Sequence, residues 1–558
     1  MLFFFFISSA VQLFHCKIVS TSHGKVEGFS YDTPNNQCAE IYLGIPFGKS
    51  DRFEKPRMVE PWNGVLNVTE FGSTCYNTML VTQISAQIGF LKPLEIPDIQ
   101  KTSEDCLSLN IMTPSTPCVR GYPVLVIVNG GAFELSGVSL MGYKTISRNF
   151  VNEGIVCVTI NYRNGPLGYL SSEDTRYPGN YGLWDRYLAL QFIHKVIWSF
   201  GGNPDEITVI GDGSIVSALS LSPYTNRLFK RAIALSGSMF SQTNLGSNCK
   251  NDSDRLSTFF GCHTSKYCSK LIRAKLGDFQ RAVTEFGYVT DRLDYLSGMP
   301  FVPRIDGDFF PDSLENLLRK APQVPTIAGV TQSECAMTNF LPLFEGNRRF
   351  VVPKHEQEKY SKADLIKLIY TIDDARLRQE LFSFYVNRRR KGFEEENAGF
   401  YLKLQAELAS DILYNIPIYY ESRKKALNYG WEVYLYIEEF HPFPTNDIPI
   451  NVTTHGNVNP YIYGTFLGAK YNFSDNDRMY QRNVLEGFVS FITTGIPSVG
   501  GQAWLPITAE NSGRYMAFDV KSRMKDGFMK ENVNVWFNIF KHRDLFHHLR
   551  LLFPSVHF

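Results

Sequence analysis

Six short apolar runs, separated by segments of helical spacing, constrain the fold of this 558-residue chain more than any other feature. The runs cover residues 124–128, 155–160, 207–210, 232–235, 326–330 and 432–437, and the stretch 183–200 between two of them has helical periodicity. Such alternation predicts an α/β fold with a large, mostly parallel central sheet and helices on both faces. No repeat or low-complexity linker divides the chain, so one large domain is expected, long but acceptable for a many-stranded α/β enzyme fold.

Charge removes several function classes. Lys and Arg number 56 against 55 Asp and Glu, a net charge of +1, which leaves no global field to recruit nucleic acid or an anionic membrane. Aromatic residues make up 14% of the chain, enough for a large core or an aromatic-lined pocket. The ten cysteines have no zinc-like spacing, which favours disulfides over a metal, and nothing in the sequence implies a cofactor.

The N-terminus is apolar and uncharged through about Cys16, too short to span a bilayer and similar to a secretory signal. An uncleaved anchor or a buried strand is the alternative. The expected division is a signal over 1–16, a catalytic-type domain over 17–540 and a tail over 541–558. No later stretch reaches the roughly 20 apolar residues of a membrane-spanning helix. Four N-x-S/T sequons, at Asn67, Asn251, Asn451 and Asn472, become glycosylation candidates if the chain is exported. In the tail, Leu545, Phe546, Leu549, Leu552 and Phe553 share helical spacing, predicting an amphipathic helix that docks on its own domain or joins two copies in a homodimer.

The string EITVIGDGS (206–214) reads as a strand running through a tight turn into a helix. That is the setting of the G-x-S-x-G nucleophile elbow. Here glycine stands at 213, where the pattern needs serine, and Ile215 stands where it needs glycine; no other G-x-S-x-G occurs in the chain.

With IYLGIPFG (41–48), EDCLSLNIMTP (104–114), PVLVIVNGGAF (123–133), INYRNGPLGYLSSEDTRYPGNYGLWDRYLALQ (160–191), SFGGNPDEITVIGDG (199–213) and AIALSGS (232–238), the chain resembles the cholinesterase and type B carboxylesterase family of α/β hydrolases. The resemblance implies that His455, opening HGNVNPYIYG, corresponds to the catalytic base, and Glu334 to the acid that orients it, although Cys335 replaces the following glycine. Ser236 matches a serine near that acid. Gly131, Ala132 and Ser214 match the backbone donors of the oxyanion hole, with Asn129 and Ala132 departing from HGGG. Gly213 holds the nucleophile position without a hydroxyl, and glycine is expected to suit the strained backbone of an elbow.

Ser214 is the one nearby hydroxyl that could substitute, but it points roughly 100° away around a helix, so the turn would have to be rebuilt. Against the family pattern, the stretch 211–223 is also about three residues short. The resemblance further implies the disulfides Cys75–Cys106 and Cys262–Cys268, a lone buried Cys157, unassigned Cys38, Cys118, Cys249 and Cys335, and the ion pairs Arg52–Glu104 and Arg163–Asp185. No tryptophan lies between Cys75 and Cys106, so choline is a poor ligand. The expected function is that of a secreted, inactive esterase homologue that binds a protein or a small apolar ligand. The alternative is an ester hydrolase using Ser214 or a water activated by His455.

Overall fold

A computed structural model describes residues 16–34, 37–77, 102–128, 130–131, 133–134, 137–246, 249–285, 301–340, 350–372, 374–387, 396–441, 449–465 and 472–541. Twelve strands form one path: β1 (Cys16–Thr21), β2 (Gly24–Asp32), β3 (Cys38–Pro46), β4 (Ser108–Pro114), β5 (Tyr122–Val128), β6 (Val156–Ile160), β7 (Gly202–Asp212), β8 (Arg231–Leu235), β9 (Thr326–Thr331), β10 (Val433–Glu438), β11 (Tyr515–Phe518) and β12 (Arg523–Lys525). Their spatial order is β1-β2-β3-β4-β6-β5-β7-β8-β9-β10-β11-β12, and a thirteenth short strand, Val65–Asn67, pairs with β2. The seven strands from β6 to β11 are parallel, and the two ends of the sheet are antiparallel.

The sheet is covered on both faces. Along β5, Val124, Val126 and Val128 enter one apolar core while Leu125 and Ile127 enter the other, and all five are fully buried. A strand with two dry faces has no polar alternate positions, which is why these runs are continuously apolar. Helices α1 (Tyr181–Val196) and α2 (Gly213–Leu221) pack in the first core; α3 (Asp475–Thr494) packs in the second through Tyr480, Val484, Phe488 and Phe491.

Arg163 grips both oxygens of Asp185 on α1, Nη2 to Oδ1 at 2.7 Å and Nε to Oδ2 at 2.9 Å. Arg52 pairs with Glu104, and the disulfides Cys75–Cys106 and Cys262–Cys268 are present. Cys38, Cys118, Cys157, Cys249 and Cys335 are unpaired thiols. Cys16, the last residue assigned to the signal, starts β1 opposite Phe29. Residues 1–15 and the amphipathic tail with Leu545, Phe546, Leu549, Leu552 and Phe553 lie outside the described residues. Among the described residues no helix is long and apolar enough to cross a membrane, and no cluster of His, Cys, Asp and Glu could hold a metal.

Candidate functional site

Strand β5 is flanked by β6 on one side and β7 on the other, so the chain reverses its direction of travel across the sheet there. Crevices of α/β sheets open at such a switch point, beyond the carboxyl ends of the strands. Val128 at the end of β5 pairs with Gly211 on β7, which brings the loop carrying Gly130 and Gly131 against Asp212. Between them lies a cavity of about 50 Å³, reached also by Phe133, Arg186, Ile215 and His455.

Glu334 and His455 come together from loops after β9 and β10. His455 Nδ1 lies 2.8 Å from Glu334 Oε2, and the fully buried carboxylate also accepts from the Thr331 amide at 2.6 Å and Ser236 Oγ at 2.7 Å. Ser236 reaches it from a left-handed backbone, φ 46°. Burial alone would lower the imidazole pKa. The hydrogen bond and charge of Glu334, with the fields of Asp212 and Glu438, outweigh burial and leave it raised. One flank of the ring leans on Tyr414, with centroids 5.1 Å apart.

The elbow is built differently from the expectation. Helix α2 begins directly at Gly213, and Asp212 is its N-cap, φ −49° and ψ 125°, accepting the Ser214 amide on Oδ1 at 2.9 Å. Position 213 therefore has no left-handed strain for glycine to relieve. Its constraint is steric: a Cβ built there would stand 2.3 Å from the Gly237 carbonyl oxygen. The helix starts directly at the strand end, and the chain of Gly237 occupies the space a side chain would use.

The amide of Ser214, expected to serve an oxyanion, is spent on the Asp212 carboxylate. Its hydroxyl accepts from Asn244 Nδ2 at 2.8 Å, and no hydrogen bond links it to His455. Gly131 lines the cavity; Ala132 and Asn129 lie outside the described residues. Asp212 presses its carboxylate against Gly130, where a Cβ would lie 2.8 Å from Oδ2. Removal from water raises its pKa, and the charge of His455 with hydrogen bonds from Ser214 and Ile215 opposes that shift.

Two participants were not read from sequence. Asp212 was given no role, because its capping depends on where α2 begins. Arg186 was not singled out in the helical stretch 183–200, and α1 is buried nearly all round with Arg186 fully enclosed. A second charged residue directly after Asp185, in the apolar first half of the helix, was the available signal.

The fold and crevice define an α/β hydrolase. The Carboxylesterase family model matches residues 15–536, and the chain belongs to that family. It is 32% identical to "Gut esterase 1" of Caenorhabditis briggsae over 94% of this chain and 92% of that protein, and 29% identical to "Gut esterase 1" of Caenorhabditis elegans over 95% of each. It is also 28% identical to "Liver carboxylesterase 1" of Mus musculus, covering 93% of this chain and 92% of that one.

Proposed function

We propose that this chain is a carboxylesterase relative in which the serine nucleophile is gone and the crevice binds rather than hydrolyses. One observation carries the reading: the nucleophile position has no hydroxyl and no room for one, since a Cβ at 213 would meet the Gly237 carbonyl oxygen at 2.3 Å. An acyl-enzyme needs a nucleophile within hydrogen-bond reach of its base. Ser214 is turned to Asn244 instead, and His455, the base oriented by the acid Glu334, has no hydrogen bond to it.

Export fits the same reading. The apolar start of the chain suits a signal, the asparagines of all four sequons are exposed, and two disulfides brace the described chain.

The test is incubation of the full chain with a short aryl ester and, separately, with an organophosphate probe. Neither burst nor covalent adduct is expected. A burst, or a label on Ser214, would overturn the reading. The intact contact of His455 with Glu334 favours one other reading, hydrolysis by a water that His455 activates. That activity would appear as steady turnover with no burst and no label, abolished in His455→Ala.

A further inference from the structure

The crevice contains a cation, Arg186, that forms no ion pair among the described residues. Arg186 on α1 has no surface exposed to solvent, and it lines the cavity beside Asp212 and Ile215. Its Nη1 donates to Tyr169 Oη at 3.0 Å and to the Gly182 carbonyl at 2.8 Å, and the guanidinium lies 3.3 Å from the centroid of the Tyr162 ring. All of these partners are neutral. Nε and Nη2 have no hydrogen-bond partner among the described residues.

The neighbouring acids are committed elsewhere. Asp185, next in the chain, gives both oxygens to Arg163. Asp212 forms no ion pair with Arg186; it caps α2 through the Ser214 amide. An enclosed guanidinium with two idle donors is costly without an anion, and its planar fork matches the two oxygens of a carboxylate.

We propose that the cavity is a receptor for the carboxylate head of a free carboxylic acid, with Arg186 as its counter-charge and the acyl chain against Phe133, Leu413 and Tyr414. The proposal rests on reading the crevice as a binding site and names its ligand class. Three features select this chemistry. The volume of about 50 Å³ admits a few heavy atoms, enough for a carboxylate and its first carbons and not for a bulky head, so on this proposal the rest of a longer chain extends out of it. Asp212 in the same wall would repel a dianion such as a phosphate monoester, whereas a weak monoacid can share a proton with it. Ile215, Phe133 and Leu413 supply apolar wall for the chain.

Calorimetric titration of the full chain with decanoate, methyl decanoate and decylamine tests the proposal. Decanoate is expected to bind one to one, with the neutral ester and the amine at least about tenfold weaker, as loss of a charge-assisted hydrogen bond implies. Arg186→Gln should weaken decanoate by about tenfold or more. Arg186→Met guards against a folding artefact: it removes an uncompensated buried charge, so it should melt no lower than the parent while losing decanoate. Equal binding of acid and ester, unchanged decanoate affinity in Arg186→Gln, or no decanoate binding would each overturn the proposal. Hydrolysis of methyl decanoate in the same samples would overturn the loss of esterase chemistry alone, because the Arg186 dependence of decanoate binding judges the receptor independently.

Discussion

The proposed loss of the nucleophile at Gly213 comes with a lack of space for any side chain, and that lack decides what a point mutation can do. A serine at 213 would place its Cβ 2.3 Å from the Gly237 carbonyl oxygen and 2.8 Å from its nitrogen, backbone atoms that cannot step aside as a side chain can. Gly213→Ser is therefore expected to cost about 1–3 kcal/mol and to confer no ester hydrolysis. Thermal melting and an aryl-ester assay check both parts. His455 offers a second prediction at this scale. Its raised pKa depends on Glu334, so Glu334→Gln should lower the imidazole titration midpoint, followed by NMR of histidine-labelled protein. An unchanged midpoint would show that Asp212 and Glu438 hold the proton instead.

At the scale of elements, the proposed loss of the elbow lies in the direct passage from β7 to α2 at Asp212 and Gly213. Inserting Ser-Ala-Gly between Asp212 and Gly213 would rebuild G-x-S-x-G from Gly211 onward and add nearly one helical turn before α2. The insertion should free the Ser214 amide from its cap and yield burst kinetics with a short aryl ester, where Gly213→Ser yields none; absence of a burst would mean that the glycine loop has also drifted. The six apolar runs were legible in sequence because their strands are dry on both faces: 124–128 became Tyr122–Val128 and 326–330 became Thr326–Thr331 almost unchanged. The antiparallel edges, such as Gly24–Asp32 with its half-exposed pattern, carry a weaker signal and were not read. His455 and Glu334 could be placed by motif because each sits in a recognisable segment. Arg186 could not, since its meaning comes from Tyr162 and Tyr169 packing on it across the fold, and Asp212 could not, since a cap exists only once the helix start is fixed.

Across the whole molecule, the crevice and its surroundings impose a pH dependence on stability. Glu438, fully enclosed beside β11 and α3, accepts from Asn457 Nδ2 at 2.8 Å and Tyr480 Oη at 2.9 Å, yet burial still pushes its pKa up to about 8. Asp212 is raised as well, by the same loss of water. A carboxyl whose folded pKa lies above its unfolded value holds its proton longer when folded, so stability declines as pH rises from the unfolded pKa through the folded one. For Glu438 that window runs from 4.5 to about 8. His455 acts in the same direction: its contribution is complete below its ordinary 6.5 and fades as pH rises through the raised value. Glu206 and Asp254, held low against the opposing effect of burial by Lys230, Arg231 and Lys250, work in the other direction and lose their contribution as pH falls through their depressed values. The two sets together predict a stability maximum in mildly acidic solution and a melting temperature that falls steadily between about pH 5 and pH 8.5. Glu438→Gln keeps the shape of the side chain and removes its titration. It should flatten the alkaline limb of the melting curve while leaving the acid limb in place. A limb that stays equally steep in this variant would assign the loss to the other raised groups, His455, Asp212 and the buried Asp411, and scanning calorimetry of both proteins across the same buffers separates the two outcomes.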